Sequence, residues 1–158
     1  MKLYIGTDHA GYELKESLKR WLLDLGHEVE DMGAYSFDPE DDYNEPIVRV
    51  ARNVAANEES APAVGGAPQQ AVAGIILGGS GQGEAIQANR IKGARATVFY
   101  GGDLEVIRLS RQHNNSNILS LGARFLSEGS ARDAVRVWLE TPFSDEPRHK
   151  RRNDKIDG

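Results

Sequence analysis

The residues with the clearest chemical potential form a glycine-rich stretch between an apolar run and a predicted helix. The stretch reads Gly78-Gly79-Ser80-Gly81-Gln82-Gly83, and Glu84 follows it directly. Glycines let the backbone approach a ligand closely, and the N–H groups at a helix start favour an oxyanion or a phosphate. A carboxylate beside such a ligand could act as a general base, or it could be an ordinary acidic residue of a first helical turn.

This stretch departs from the two common nucleotide-binding patterns at the same place. The dinucleotide pattern G-x-G-x-x-G, started at Gly79, requires a glycine where Glu84 stands. The P-loop pattern, started at Gly78, continues after Gly83 with Glu84-Ala85 instead of Lys and Ser or Thr. A nucleotide-binding module is therefore disfavoured.

Two further polar clusters contain a histidine. Asp8 and His9 follow the first apolar run, where they could bind a polyhydroxyl ligand and supply a proton donor, or form a turn with a capping aspartate. His113 and Asn114 precede the last apolar run, where they could donate a proton and a hydrogen bond to a sugar oxygen, or form a simple turn. Both clusters are compatible with a carbohydrate ligand.

The C-terminal part of the chain contains arginines that could bind an anion, although the formal net charge of the whole chain is −5. Arg124 follows the last apolar run, and Arg148 and Arg152 are spaced i, i+4 within the basic segment 147–158. If this segment is helical, the two arginines share a face that suits a phosphate; otherwise it is a solvated tail. An acidic protein is a poor partner for nucleic acid, so a small anion is the expected ligand.

Composition removes several classes of site. There is no cysteine, which excludes disulfides and thiolate chemistry, and the four histidines lack the spacing of metal ligands. The longest stretch of apolar residues and glycines, Ala71 to Gly79, is far shorter than the ~20 residues of a membrane helix. No secretory signal pattern precedes the first strand, so we expect a cytoplasmic protein without a metal, a cofactor or a membrane partner.

Short apolar runs alternate with amphipathic ones, as in β-α units on a parallel sheet. The pattern predicts one domain over 1–158, a doubly wound, Rossmann-like α/β fold with helices on both faces of a five-stranded parallel sheet. The Ala-, Pro- and Gly-rich residues 58–70 predict an exposed loop. Predicted strands are Leu3–Ile5, Glu28–Met32, Val72–Leu77, Ala94–Tyr100 and Ile118–Leu121; predicted helices cover 14–25, 44–57, 83–90, 103–112 and 130–140.

These segments together resemble ribose-5-phosphate isomerase of the B type, within the family that includes galactose-6-phosphate isomerase subunits. The resemblance covers nearly the whole chain and keeps the family's order of motifs. The matching segments are Gly6-Thr7-Asp8-His9-Ala10-Gly11, Gly79-Ser80-Gly81-Gln82-Gly83-Glu84, Ala88-Asn89-Arg90, Arg111-Gln112-His113-Asn114-Asn115, Leu121-Gly122-Ala123-Arg124 and Arg148-His149-Lys150-Arg151-Arg152.

The resemblance implies an isomerase that interconverts ribose 5-phosphate and ribulose 5-phosphate through an enediolate without a metal. It implies that Asp8 and His9 contact the sugar and that the loop from Gly79 to Gly83 cradles the reacting end. His113 would open the furanose ring and Asn114 would help to stabilise the enediolate. The residues expected to line the pocket or hold the phosphate are Tyr43, Arg124, Arg148 and Arg152.

One departure from the family pattern indicates which residue would act as the catalytic base. Many members carry a cysteine base at the position of Gly78, but this chain has no cysteine and matches the branch with a glutamate after the loop. Glu84 therefore inherits the base role. Tyr43 is followed by Asn44-Glu45, where the usual residue is proline, and the 58–70 loop is longer than usual.

Two alternatives remain at the level of sequence: an isomerase of a six-carbon sugar phosphate such as allose or galactose 6-phosphate, and a non-catalytic sugar-phosphate sensor.

Sheet geometry adds one expectation about the assembly. Asp8 and Glu84 follow strands whereas His113 precedes one, and a five-residue strand spans roughly 17 Å. One sugar cannot reach both edges of a sheet, so we expect a homodimer or larger homo-oligomer with shared active sites.

Overall fold

The computed structural model describes residues 1–59 and 72–158. Within them, five strands form a single sheet, in which every neighbouring pair is parallel and the order is β2-β1-β3-β5-β4. The strands are β1 (Lys2–Thr7), β2 (Glu28–Asp31), β3 (Val72–Gly78), β4 (Ala96–Phe99) and β5 (Ile118–Gly122). The predicted five-stranded parallel sheet is confirmed.

Six α-helices occur in the same residues, together with a 3₁₀ turn at His9–Gly11. They are α1 (Tyr12–Asp24), α2 (Asn44–Glu59), α3 (Gln82–Ala88), α4 (Glu105–Asn114), α5 (Glu128–Glu140) and α6 (Pro147–Asp157). None of the helices in the described ranges is both long and apolar enough to cross a membrane.

Some predicted bounds were wrong for identifiable reasons. The loop predicted over 58–70 begins too early, because α2 continues to Glu59; residues 60–71 lie outside the described residues. The strand predicted over 94–100 is shorter, because the N–H of Ala94 donates to the Ile91 carbonyl and that of Arg95 to the Asn117 side chain. The basic segment is helical over Pro147–Asp157, which is one of the two possibilities that the sequence left open.

Alternation along the strands divides the core into two layers. Leu3 and Ile5 of β1 pack with residues of α1, α4 and α5, whereas Tyr4 between them packs with residues of α2 and α3. Ile75 and Ile76 of β3 divide in the same way. Because successive side chains of a strand point to opposite faces, helices cover both faces, as predicted.

The site is positioned by the adjacency of β1 and β3. The chain leaves β1 for α1 on one face and leaves β3 for α3 on the other, so a crevice opens between the carboxyl ends of these strands. The Thr7 hydroxyl links the ends of the two strands by donating to the Leu77 carbonyl at 3.0 Å. The two loops predicted to carry chemistry are therefore neighbours.

Gly11 allows α1 to start directly against β3, which gives a test of this packing. A Cβ at Gly11 would lie 2.3 Å from Thr7 Oγ1 and 2.7 Å from Leu77 Cβ. We expect Gly11→Ala to lower the free energy of unfolding by about 1–3 kcal/mol, the usual cost of overpacking. The control is Gly129→Ala in α5, where the nearest atom is 4.0 Å away and a gain of up to about 1 kcal/mol in helix propensity is expected. Equal urea midpoints for the two variants would contradict this account.

Candidate active site

Glu84 occupies the space that a side chain at residue 78 would need. A Cβ built on Gly78 would lie 1.9 Å from Glu84 Oε1 and 2.1 Å from Glu84 Cδ. Glu84 stands in the first turn of α3, and its carboxylate folds back over the carboxyl end of β3. The glycine at the end of β3 is thus what admits the carboxylate to the crevice.

The surroundings of Glu84 make its carboxylate more basic than usual. The residue is only 5% exposed. Burial raises the pKa of Glu84 above its usual value, the negative charge of Asp8 raises it further, and a hydrogen bond from Glu84's own backbone N–H partly opposes them. A carboxylate of this kind accepts a proton more readily than a solvated one, which suits a general base.

The glycine loop between β3 and α3 is held from both sides. A Cβ on Gly83 would lie 2.9 Å from the Tyr43 hydroxyl oxygen, so Tyr43 lies beside the loop. Gly81 adopts a φ of +76°, and its carbonyl accepts from the Ser120 hydroxyl of β5 at 2.6 Å. Ser80 Oγ accepts from the N–H of Gln82 at 3.3 Å. The loop is therefore a fixed cradle.

Arg124 brings a positive charge to this cradle. Its backbone N–H donates to the Gly79 carbonyl at 3.1 Å, and the N–H of Ala123 donates to the Gly78 carbonyl at 2.8 Å. A Cβ on Gly79 would lie 3.4 Å from three atoms of the Arg124 guanidinium. The turn after β5 thus places a cation over the loop that follows β3.

Asp8 and His9 face the same crevice, joined by a residue that the sequence reasoning missed. Asp41 Oδ1 lies 2.7 Å from His9 Nδ1 and accepts from the His9 backbone N–H at 3.0 Å. This bond raises the pKa of His9 above its usual value; Asp8 adds to the effect and Arg124 opposes it. The available signal was the acidic pair Asp41-Asp42 directly before Tyr43.

Asp8, His9 and Asp41 also form the one cluster of metal-ligand type found in the described residues, with ligand atoms within 4.8 Å of one another. Each has a protein partner. His9 and Asp41 bond each other, and Asp8 Oδ1 accepts from the N–H of Ala10 at 3.0 Å as the cap of the 3₁₀ turn. The geometry suits orientation of a histidine as well as it suits a cation.

The structure places His113 and Asn114 away from this crevice. They are the last residues of α4, which leads into the start of β5, and parallel strands put that start at the amino edge of the sheet. Arg148 and Arg152 are exposed residues of α6, which packs against α4. The candidate residues thus fall into two groups. The carboxyl-edge group contains Asp8, His9, Tyr43, Gly79–Gly83, Glu84 and Arg124. The α4–α6 group contains His113, Asn114, Arg148 and Arg152.

Buried polar contacts fix the turn that follows His113. Arg111 is buried; its Nε donates to the Thr141 carbonyl at 3.1 Å and its Nη1 to the Ser116 carbonyl. The Trp138 indole N–H donates to Ser116 Oγ at 2.9 Å. Arg95 Nε donates to the carbonyl of Asn115, the left-handed residue that ends α4. His113 therefore sits on a rigid support.

Helix α6 adds contacts that the sequence reasoning did not anticipate. Its buried residues are His149 and Asn153, spaced i, i+4. The His149 ring lies 4.2 Å from the His113 ring between centroids, and Asn153 Nδ2 donates to the His113 carbonyl at 3.4 Å. The predicted helical spacing of Arg148 and Arg152 is present, and Arg148 Nε lies 3.0 Å from Glu146 Oε2.

Known proteins are similar in sequence to this chain over nearly its full length. A family model described as Ribose/Galactose Isomerase matches residues 3–156. Ribose-5-phosphate isomerase B of Mycolicibacterium paratuberculosis is 38% identical over 154 residues, which cover 98% of this chain and 88% of the relative. The enzyme of the same name from Mycobacterium tuberculosis is 37% identical over 154 residues, covering 98% and 86%.

Solved structures share the fold. Ribose-5-phosphate isomerase B of Mycoplasma genitalium, determined with bound ribulose-5-phosphate, superposes with a TM-score of 0.86 at 31% identity, covering 99% of this chain and 93% of that one. The enzyme of the same name from Thermotoga maritima gives a TM-score of 0.84 at 40% identity, covering 99% and 97%. The motifs, the sheet order and these similarities agree, and the chain belongs to the Ribose/Galactose Isomerase family.

Proposed function

We propose that this protein interconverts ribose 5-phosphate and ribulose 5-phosphate, with Glu84 as the base. The observation that carries the proposal is the buried carboxylate over the end of β3, beside a glycine cradle and the Arg124 guanidinium. A base must meet the carbon that loses a proton while cations and N–H groups meet the negative oxygens and the phosphate. The carboxyl-edge group offers both.

The chemistry needs no co-reactant. Glu84 removes the proton from C2 of the open-chain aldose, and the electron pair of that C–H bond forms the C1–C2 double bond of an enediolate while the aldehyde π electrons move to O1. Returning the proton to C1 and moving the O2 proton to O1 gives the ketose. Asp8 and His9 bind the sugar hydroxyls, and the loop from Gly79 to Gly83 surrounds the reacting end.

The α4–α6 group supplies ring opening and phosphate binding from a second subunit. As the furanose opens, the C1–O4 bond breaks, His113 gives a proton to O4, and the anomeric hydroxyl releases its proton to water as the C1=O1 bond forms. Asn114 donates to the enediolate. Because α6 packs on α4 of the same chain, Arg148 and Arg152 enter the site with His113. They hold the phosphate together with Arg124, so a homodimer contains two sites, each built from both chains.

Substrate class is tested by a coupled assay of the purified protein with ribose 5-phosphate, allose 6-phosphate and galactose 6-phosphate side by side. We expect the highest kcat/KM for ribose 5-phosphate. A higher value for a six-carbon substrate would favour the six-carbon isomerase. Binding of all three without turnover would favour a sugar-phosphate sensor.

The base assignment predicts the behaviour of Glu84→Gln. Turnover should fall by about two to four orders of magnitude, the usual contribution of a positioned base, while an acyclic phosphorylated hydroxamate that resembles the enediolate still binds. Stability should not fall, because the amide has the same shape and removes a carboxylate whose pKa burial raises. Steady-state kinetics, inhibition and thermal unfolding are measured together. Near-normal turnover would exclude Glu84 as the base.

The raised pKa of Glu84 predicts the acid side of the pH profile. Glu84 acts when deprotonated, so kcat/KM should fall as the pH drops through a pKa above the ordinary 4.5. Asp8→Asn removes a negative neighbour and should move this fall to lower pH, while the amide oxygen still caps Ala10. Exposed Glu40→Gln is the control and should leave the profile in place. If kcat/KM fell at the same pH in the wild type, Asp8→Asn and Glu40→Gln, the electrostatic account would be contradicted.

A shared site predicts complementation between two inactive chains, Glu84→Gln and His113→Ala. In a mixed dimer one site combines an intact Glu84 with an intact His113, and the other carries both defects. Co-expressed, doubly tagged heterodimers should therefore regain up to half of the wild-type activity. Purified heterodimers without recovery would show that both groups act within one subunit.

A further inference from the structure

His113 is backed by a second histidine that no step of the proposed chemistry uses. The two rings lie 4.2 Å apart between centroids and are inclined by 38°. His149 is only 3% exposed, whereas His113 is partly exposed at the end of α4. The inner ring thus forms a flat support for the outer one.

The hydrogen bonds of His149 fix its tautomer. Ser144 Oγ donates its proton to the Gln112 carbonyl at 2.7 Å, and a carbonyl can only accept. The same Oγ lies 2.9 Å from His149 Nδ1, so Nδ1 carries a proton and donates to Ser144. The N–H of Ser144 also donates to the Gln112 carbonyl, at 3.2 Å. Ser144 therefore ties the supporting ring to the residue next to His113.

The charges around the pair favour a neutral His149. Burial lowers the pKa of His149, and the positive charges of His113, Arg148 and Arg152 lower it further, while Glu146 opposes them. An uncharged ring can lie against His113 when His113 carries a proton, whereas two charged imidazoles at this distance would repel each other.

We propose that His149 is a positioning residue for ring opening: locked by Ser144, it holds the His113 imidazole in the orientation that delivers a proton to the furanose oxygen. The inference rests on the proposed function, because it assigns His149 no role apart from His113. Without the support, the His113 ring is free to turn about its side-chain bonds. A misplacement of about 1 Å can cost on the order of 100-fold in rate.

A double-mutant cycle separates positioning from a general structural role. His149→Ala should lower kcat for ribose 5-phosphate by about 10- to 100-fold, with less than about a threefold change in the inhibition constant of the acyclic hydroxamate, which needs no ring opening. His113→Ala/His149→Ala should lose no more activity than His113→Ala alone. His149→Phe, which keeps the ring contact without a charge but loses the hydrogen bond to Ser144, should recover part of the lost kcat.

Matched variants make each outcome decisive. Exposed Lys150→Ala, on the neighbouring position of α6, should leave kcat unchanged. Additive losses in the double mutant, a parallel loss of hydroxamate binding, or a Phe variant as impaired as the Ala variant would overturn the positioning role. If instead His113→Ala itself keeps full kcat on ribose 5-phosphate, the assignment of His113 in the proposed function fails, and this result is distinguishable from a failure at His149 alone.

Discussion

The absence of a side chain at three glycines between the end of β3 and the start of α3 is the constraint on which the carboxyl-edge group depends. Cβ atoms on Gly78, Gly79 and Gly83 would meet Glu84, Arg124 and Tyr43, at 1.9, 3.4 and 2.9 Å respectively. The functional groups thus occupy volume that ordinary residues would fill. A larger residue there displaces a carboxylate, a guanidinium or a phenol, so the same glycines that shape the loop also determine which chemistry reaches the crevice.

Electrostatics at this edge follow from the same crowding. Glu84 lies out of water near Asp8, and both effects favour its protonated form. His9, bonded to Asp41 and close to Asp8, favours its charged form, against the influence of Arg124. The crevice therefore combines a proton acceptor of raised basicity with a cationic rim. In the proposed reaction, an anionic sugar phosphate meets the cations while the carbon that loses a proton meets the Glu84 carboxylate, and this arrangement is compatible with a net charge of −5 for the whole chain.

The sequence predicted those parts of the site that depend on local patterns. The glycine loop and Arg124 follow strands directly, and Glu84 stands in the first turn of the helix after that loop. Parallel strands bring these ends together. The bond between His9 and Asp41 joins residues 32 positions apart. The acidic pair Asp41-Asp42 signals a carboxylate there, but nothing in the local sequence shows that it reaches His9. The burial of His149 is hidden within a basic run and depends on the packing of α6 against α4. The loop was predicted to start too early because its composition was considered as a whole. Its first two residues, Glu58 and Glu59, are good helix formers, and the first proline of the segment comes only at Pro62.

The proposed division of the site between two subunits has a consequence for substrate length. His113 on α4 and the backbone of α6 that carries Arg148 and Arg152 form one packed body through the contacts of His149 and Asn153. The Arg95–Asp157 ion pair at 2.8 Å ties α6 to the residues before β4. In the proposed site, His113, Arg148 and Arg152 come from one chain, whereas Arg124, which also holds the phosphate, comes from the other. In the proposed dimer, the distance from that body to Glu84 is set by the subunit interface. Substrate length must then match both the fixed body and the interface, because a sixth carbon shifts the reacting carbons relative to a phosphate that stays bound. Discrimination between five- and six-carbon sugars thus depends on how two chains meet as much as on any residue in the pocket.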